Sequence, residues 1–167
     1  MSDTSNSPRK EQQKVIDLVS KFQSAMLVTH GANGQLHARP MMVGAFDGHE
    51  ITFLTAVDSN KATEISHDQR VSITFQGSGA YMSMTGYGRI ERDTSEARKL
   101  WSPVNKAWFD GPDDPRLSVL RVTLETAEYW DNRGRSLLRY AVDTVRSRLN
   151  QEGDAPKAAL HGVVDLS

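Results

Sequence analysis

The chain contains no cysteine. Disulfide bridges, thiolate catalysis and cysteine-ligated zinc are therefore excluded. It also lacks any long apolar run, and nothing approaches the roughly 20 residues that a membrane-spanning helix requires. The N-terminal MSDTSNSPRKEQQK is polar, without the apolar segment of a secretory signal. Neither sign of charge dominates: 20 Lys+Arg stand against 21 Asp+Glu, for a net charge of -1. That balance argues against nucleic acid or an anionic membrane as partner, and leaves room only for a local basic pocket. The five histidines, His30, His37, His49, His67 and His161, show neither HExxH nor any other close ligand spacing, so no metal site is expected. GxSxG is absent, and so is the GxGxxG of a dinucleotide-binding fold. The expected location is cytoplasmic.

What is present suits one domain: 167 residues, 25% of them charged and 38% hydrophobic. Such a chain can bury a substantial core. Residues 1–8 read as a disordered leader rich in Ser, Asn and Asp. Residues 9–150 read as the domain, and 151–167 as a flexible C-terminal tail. Within the domain, Val15, Leu18, Val19 and Phe22 follow the spacing of an amphipathic helix over about 9–24. AMLVTH (25–30), LHARPMMVGAF (36–46) and EITFLTA (50–56) then read as strands. They are joined by hairpin signals at Asn33-Gly34 and Asp47-Gly48-His49. Pro40 demands an edge or bulge position. A short helix is expected over 61–67, strands over 70–75 and 80–93, and a helix over 94–101. One or two strands follow over 116–131, and a helix over 136–149. Gly86 and Gly88 mark a bulge or a close approach. Six strands joined mostly by tight turns predict an α+β fold dominated by β, built as a six-stranded antiparallel barrel with flanking helices.

One junction raises a chemical question. ITFLTAVDSNKATEI passes from strand to helix through Thr55, Asp58, Ser59, Asn60 and Lys61. A helix start carries partial positive charge and unpartnered N–H groups, so a cation there is unfavourable by a few tenths of a kcal/mol. Either Lys61 is a solvated lysine behind an ordinary cap, or an anion such as phosphate occupies the helix start. Arg39, in an otherwise apolar strand, has the same two readings: it snorkels to water, or it holds an anion with its guanidinium fork. Trp101, Trp108 and Phe109 either anchor their loop or wall a ligand. Met82 and Met84 read as core filling. Asp110, Asp113 and Asp114 read as a solvated acidic loop, and the arginines of 133–148 as a solvated helix face.

HARPMMVGAFDGHEITFLTAVDSNKATEI resembles the FMN-binding split barrel of the pyridoxamine 5′-phosphate oxidase-like superfamily. The later order GYGRIERD, ARKLW, KAWFDGPDDPRLSVLRVTLETAEYWD is similar to its general stress protein branch, and the resemblance covers roughly 10–133. It implies a Greek-key split β-barrel and a homodimer with FMN at the subunit interface. The same phosphate anchor would serve FAD. By position, Arg39, Ser59, Asn60 and Lys61 would hold the phosphate. Pro40, Met41, Met42, Leu54 and Thr55 would border the ring, Trp108 would form a wall, and Trp130 would come from the second subunit. Two departures concern the substrate. The oxidases carry a lysine for the substrate phosphate where this chain has Gly44, and an Arg-Pro-x-x-Ser stretch where it has WSPVNKAW. The resemblance therefore implies a flavin-binding stress protein. The alternatives are an active FMN-dependent oxidoreductase acting on some small molecule, or a barrel that binds deazaflavin or haem. No residue stands out as a catalytic acid or base.

Overall fold

A computed structural model describes residues 7–77, 79–131 and 160–167. The helix expected over 136–149 lies outside the described residues, as do most of the expected leader and the first part of the expected tail. The elements in chain order are α1 (Ser7–Val19), β1 (Ser24–His30), β2 (Leu36–Phe46), β3 (Glu50–Ala56), α2 (Asn60–His67), β4 (Arg70–Gly77) and β5 (Ala80–Glu91). There follow α3 (Thr94–Leu100), a 3-10 turn (Pro103–Ala107), β6 (Leu117–Asp131) and β7 (Leu160–Asp165). No helix among the described residues is long and apolar enough to cross a membrane.

All strand pairs are antiparallel, in the order β3-β2-β1-β4-β5-β6, and β6 closes back onto β3. Three hairpin-linked strands with the fourth returning beside the first form a Greek key. Here α2 lies in the return connection. Strand alternation fills the closed barrel. Leu27, Ile51, Phe53, Ile73, Phe75, Met84, Leu120 and Val122 are all essentially inaccessible. Met82 and Met84 are core, as their alternation predicts. The α1 stripe of Val15, Leu18 and Val19 is buried in the same core. The helix stops at Val19, earlier than expected, because 20–22 tighten into turn bonds such as Phe22 N to Val19 O. Phe22 then packs on Phe75, with ring centroids 5.3 Å apart.

Two departures from flat pairing shape the barrel. Between Thr85 and Gly86 the β5–β6 register slips, which is the bulge the glycine pattern predicts. A Cβ at Gly86 would collide with the Thr123 carbonyl oxygen and lie 2.9 Å from Leu124 Cα. The second slip, between Val43 and Ala45, bends β2 against β3. Pairing of β2 with β3 starts only at Val43, so the stretch before it, Pro40 included, is bonded to β1 alone. Pro40 thus takes the edge position that its missing N–H demands.

The structure corrects two expectations. Residues 160–165, expected in a flexible tail, form β7 along the far half of β6 (Thr126–Asp131), beyond the part that pairs with β3. Val164 and Leu166 are buried in the main core, Leu166 N donates to Glu125 O, and the Leu166 carbonyl meets His49 Nδ1 at 2.8 Å. Asp114 is not solvated either. Its carboxylate is buried and accepts from the N–H groups of Asp110 and Arg116 and from the Arg116 guanidinium, which ties off the 110–116 loop.

Candidate functional site

A cleft of about 580 Å³ opens where β2 and β3 face the segment from Leu100 to Phe109. Its volume falls in the range of small-ligand sites. The sheet wall is Pro40, Met41, Met42, Val43, Gly44, Leu54, Thr55 and Ala56. The facing wall is Leu100, Ser102, Val104, Asn105, Trp108 and Phe109, and Lys61 of α2 borders the cleft as well. Of the residues singled out from the sequence, Pro40, Met41, Met42, Leu54, Thr55, Lys61 and Trp108 therefore converge. Arg39, Ser59, Asn60 and Trp130 do not line this space.

The facing wall is held by its own small core. Ala97, Phe109, Leu117 and Val119 are buried together, with Leu100 and Trp101 packed on them. Trp101 meets Phe109 edge-on at 6.5 Å. Two of the three loop aromatics are thus anchors, whereas Trp108 is 60% exposed and borders the cleft. At Gly44 the walls approach closely. A Cβ there would stand 3.0 Å from the Thr52 carbonyl oxygen and 3.2 Å from Leu100 Cδ1. A side chain there would require the Thr52 backbone and Leu100 to give by a few tenths of an ångström.

At the start of α2 the Ser59 hydroxyl does not cap the helix. It donates to Ala56 O at 2.7 Å. The first N–H groups with protein acceptors belong to Ala62 and Thr63, which both donate to Ser59 O. Among the described residues the N–H groups of Asn60 and Lys61 have no acceptor, and no carboxylate pairs with the Lys61 ammonium. Burial lowers the Lys61 pKa, and the nearby Arg39 charge lowers it further, against a smaller opposing effect of Glu64. Lys61 thus sits at a bare helix end with the Arg39 charge near enough to act on it, an arrangement an anion would stabilise.

Arg39 reaches this neighbourhood by a route the sequence did not reveal. Because β2 leaves β3 at Val43, Arg39 extends under α2 rather than beside the strand-to-helix turn. It donates to Glu64 Oε2 at 2.7 Å and to Thr29 Oγ1. His37 Nδ1 and the Thr29 hydroxyl also contact the Glu64 carboxylate. Burial pushes the Glu64 pKa up, but hydrogen bonds from Thr29, His37 and Arg39 outweigh it and bring it down to about 2. Glu64 was missed in the sequence, although its i+3 spacing from Lys61 places both on one helix face. Asn105 was missed as well. Its side chain is buried, and its Oδ1 accepts from Ser102 N at 2.8 Å and from Ser102 Oγ.

One fully buried polar atom in the cleft wall, Thr55 Oγ1, has no hydrogen bond among the described residues. An orphaned buried hydroxyl is costly unless something polar meets it. Trp130 lies elsewhere, at the far end of β6, in register with Tyr81 and His161.

Comparison with known proteins adds the following. A family profile described as "Pyridoxamine 5'-phosphate oxidase like" matches residues 10–154. The protein bli-3 of Neurospora crassa is 34% identical over 135 residues, covering 70% of this chain and 64% of that one, so this chain spans just under two thirds of that relative. General stress protein 26 of Bacillus subtilis is 33% identical over 118 residues, covering 68% of this chain and 83% of that one. Among solved structures, the general stress FMN/FAD binding protein from the phytopathogen Xanthomonas citri matches with a TM-score of 0.65 at 27% identity, covering 77% of this chain and 94% of that one.

Proposed function

This chain belongs to the pyridoxamine 5′-phosphate oxidase-like family, on its general stress protein branch, and from that premise we propose that it binds FMN in the cleft, at the interface of a homodimer. The observation that carries the reading is the anion-ready start of α2. Half-buried Lys61 and two backbone N–H groups without acceptors stand at the edge of an apolar cleft. The orphaned Thr55 hydroxyl fits a ligand with polar ring edges. The Xanthomonas citri relative, described as FMN/FAD binding, supports a flavin.

A bound flavin supplies electron-pair exchange at its ring. The chain's own residues bind and position it. Lys61 and the N–H groups of Asn60 and Lys61 take the phosphate, and Arg39 adds a second positive charge from beneath α2. Thr55 meets a polar edge of the ring, while Met41, Met42 and Leu54 exclude water from its sheet-side face and Trp108 stands at the rim of the cleft. Trp130, remote from its own cleft, is the residue a second copy brings. FAD carries the same phosphate group and shares the anchor.

The reading favours binding without oxidation of pyridoxamine 5′-phosphate, because Gly44 supplies no cation for the substrate phosphate where the oxidases carry a lysine. Titration of the purified protein with FMN, followed by absorbance and flavin fluorescence, tests the proposal. Saturable uptake by a dimer in sedimentation is expected. A spectrum of haem or deazaflavin in the purified protein, or no uptake of FMN, would overturn it. Steady turnover of pyridoxamine 5′-phosphate by the loaded protein would favour the oxidoreductase reading instead.

A further inference from the structure

Resting on the flavin reading, we infer that the wall from Leu100 to Trp108 takes a second ligand beside the flavin, and that this ligand is a flat, uncharged ring compound bearing a carbonyl. Three observations carry the inference. First, among the described residues Lys61 is the only charged one lining the cleft. Once a flavin phosphate neutralises it, the described residues offer the remaining space no further cation for an anionic substrate. Gly44, against which Leu100 stands close, has no side chain to supply one. Second, Val104 and Trp108, on or just after the 3-10 turn, line the cleft yet are 49% and 60% exposed. Trp101 and Phe109 are spent on each other and on the small core, whereas no aromatic partner covers the Trp108 ring among the described residues. An uncovered indole at a cleft mouth offers a stacking surface. Third, Asn105 is buried with its oxygen committed to Ser102, so its amide orientation is set. Asn105 lines the cleft, and its Nδ2 group has no acceptor among the described residues. A donor without an acceptor beside an apolar stacking surface selects a neutral acceptor such as a ring carbonyl. A charged carboxylate would lose its hydration without gaining a cation.

The experiment uses the full chain and three bicyclic probes. Coumarin is neutral and carries a carbonyl, 2H-chromene lacks the carbonyl, and coumarin-3-carboxylate adds a negative charge. FMN uptake is read first from its absorbance, and each probe is then titrated into the FMN-loaded protein by calorimetry. Coumarin is expected to bind at least tenfold more tightly than either of the other two. Trp108→Ala is expected to weaken coumarin at least fivefold. Asn105→Asp, which keeps the oxygen that accepts from Ser102 but removes the donor, is expected to weaken it at least tenfold. Tighter binding of the carboxylate or of chromene, or indifference of coumarin to both substitutions, overturns the inference. FMN uptake with no coumarin binding overturns this inference alone. Absence of FMN uptake overturns the flavin reading and this inference with it.

Discussion

Lys61 owes its lowered pKa first to burial and then to the charge of Arg39, so an anion at the start of α2 would relieve both. Each charge-assisted hydrogen bond to the phosphate is worth roughly 1.5–3 kcal/mol. The double variant Lys61→Ala with Arg39→Ala is therefore expected to weaken FMN binding by about a hundredfold or more while keeping the circular dichroism spectrum of the barrel. FMN fluorescence titration checks this, and an unaltered dissociation constant would remove the phosphate site. Glu64 supplies the counterpart. Its carboxyl group has an ordinary value of 4.5 and is held at about 2 in the fold, where burial is outweighed by bonds from Thr29, His37 and Arg39. A depressed carboxylate pKa gives stability that is fully present above pH 4.5 and disappears as pH falls towards 2. Urea unfolding midpoints between pH 7 and pH 2.5 are therefore expected to fall more steeply in the wild type than in Glu64→Gln. Parallel pH profiles would show that Glu64 is not so held.

The strands and helices around the cleft were legible to different degrees, and the reasons are local. The bounds of β2 and β3 follow from alternation between two strong turn signals, and both run as expected. The Gly86 bulge was legible because glycines inside a strand have few other uses. Substitution Gly86→Ala would drive a methyl group into the β6 backbone. Overpacking of this kind costs about 1–3 kcal/mol, to be read as a lower urea midpoint. The strand β7 was not legible. Its six residues include a glycine and a histidine, and its partner β6 lies far upstream in the chain. Nor does sequence show which charges meet. Arg121, only 17% exposed, joins Glu50 of β3 and Glu91 of β5 to Asp93. Asp93 in turn caps α3 by accepting from Glu96 N, and the last residue of that helix is Leu100 on the cleft wall. Arg121→Met, which keeps bulk and loses the guanidinium, is expected to lower stability by about 1–3 kcal/mol. A thermal midpoint within error of the wild type would refute that.

In the molecule as a whole the site is a composite. Lys61 and the sheet wall come from residues 40–61, the other wall from 100–109, and barrel closure by β6 on β3 brings them together. The sequence carried the first set through a strand-to-helix junction with polar punctuation. The second set carried only aromatics whose division into anchor and wall depends on tertiary packing. The proposed dimer belongs to this scale as well, since Trp130, at the far end of β6, does not line the cleft of its own chain. β6 is the common spine: β5 lies on one side along most of its length, while β3 and then β7 share the other. A chain ending before Leu160 would lose Val164 and Leu166 from the core, where burying one such side chain is worth about 1.5–3 kcal/mol. It would also bare the hydrogen-bonding groups of Thr126–Asp131. Self-association and a lower melting temperature are expected of that truncation, by light scattering and calorimetry. The same order acts during synthesis. The ribosome delivers β6 before β7, so while the stretch between Asp131 and Leu160 is being made the nascent barrel carries an open seam. Its exposure to neighbouring nascent chains is then set by the speed of translation rather than by any property of the finished fold.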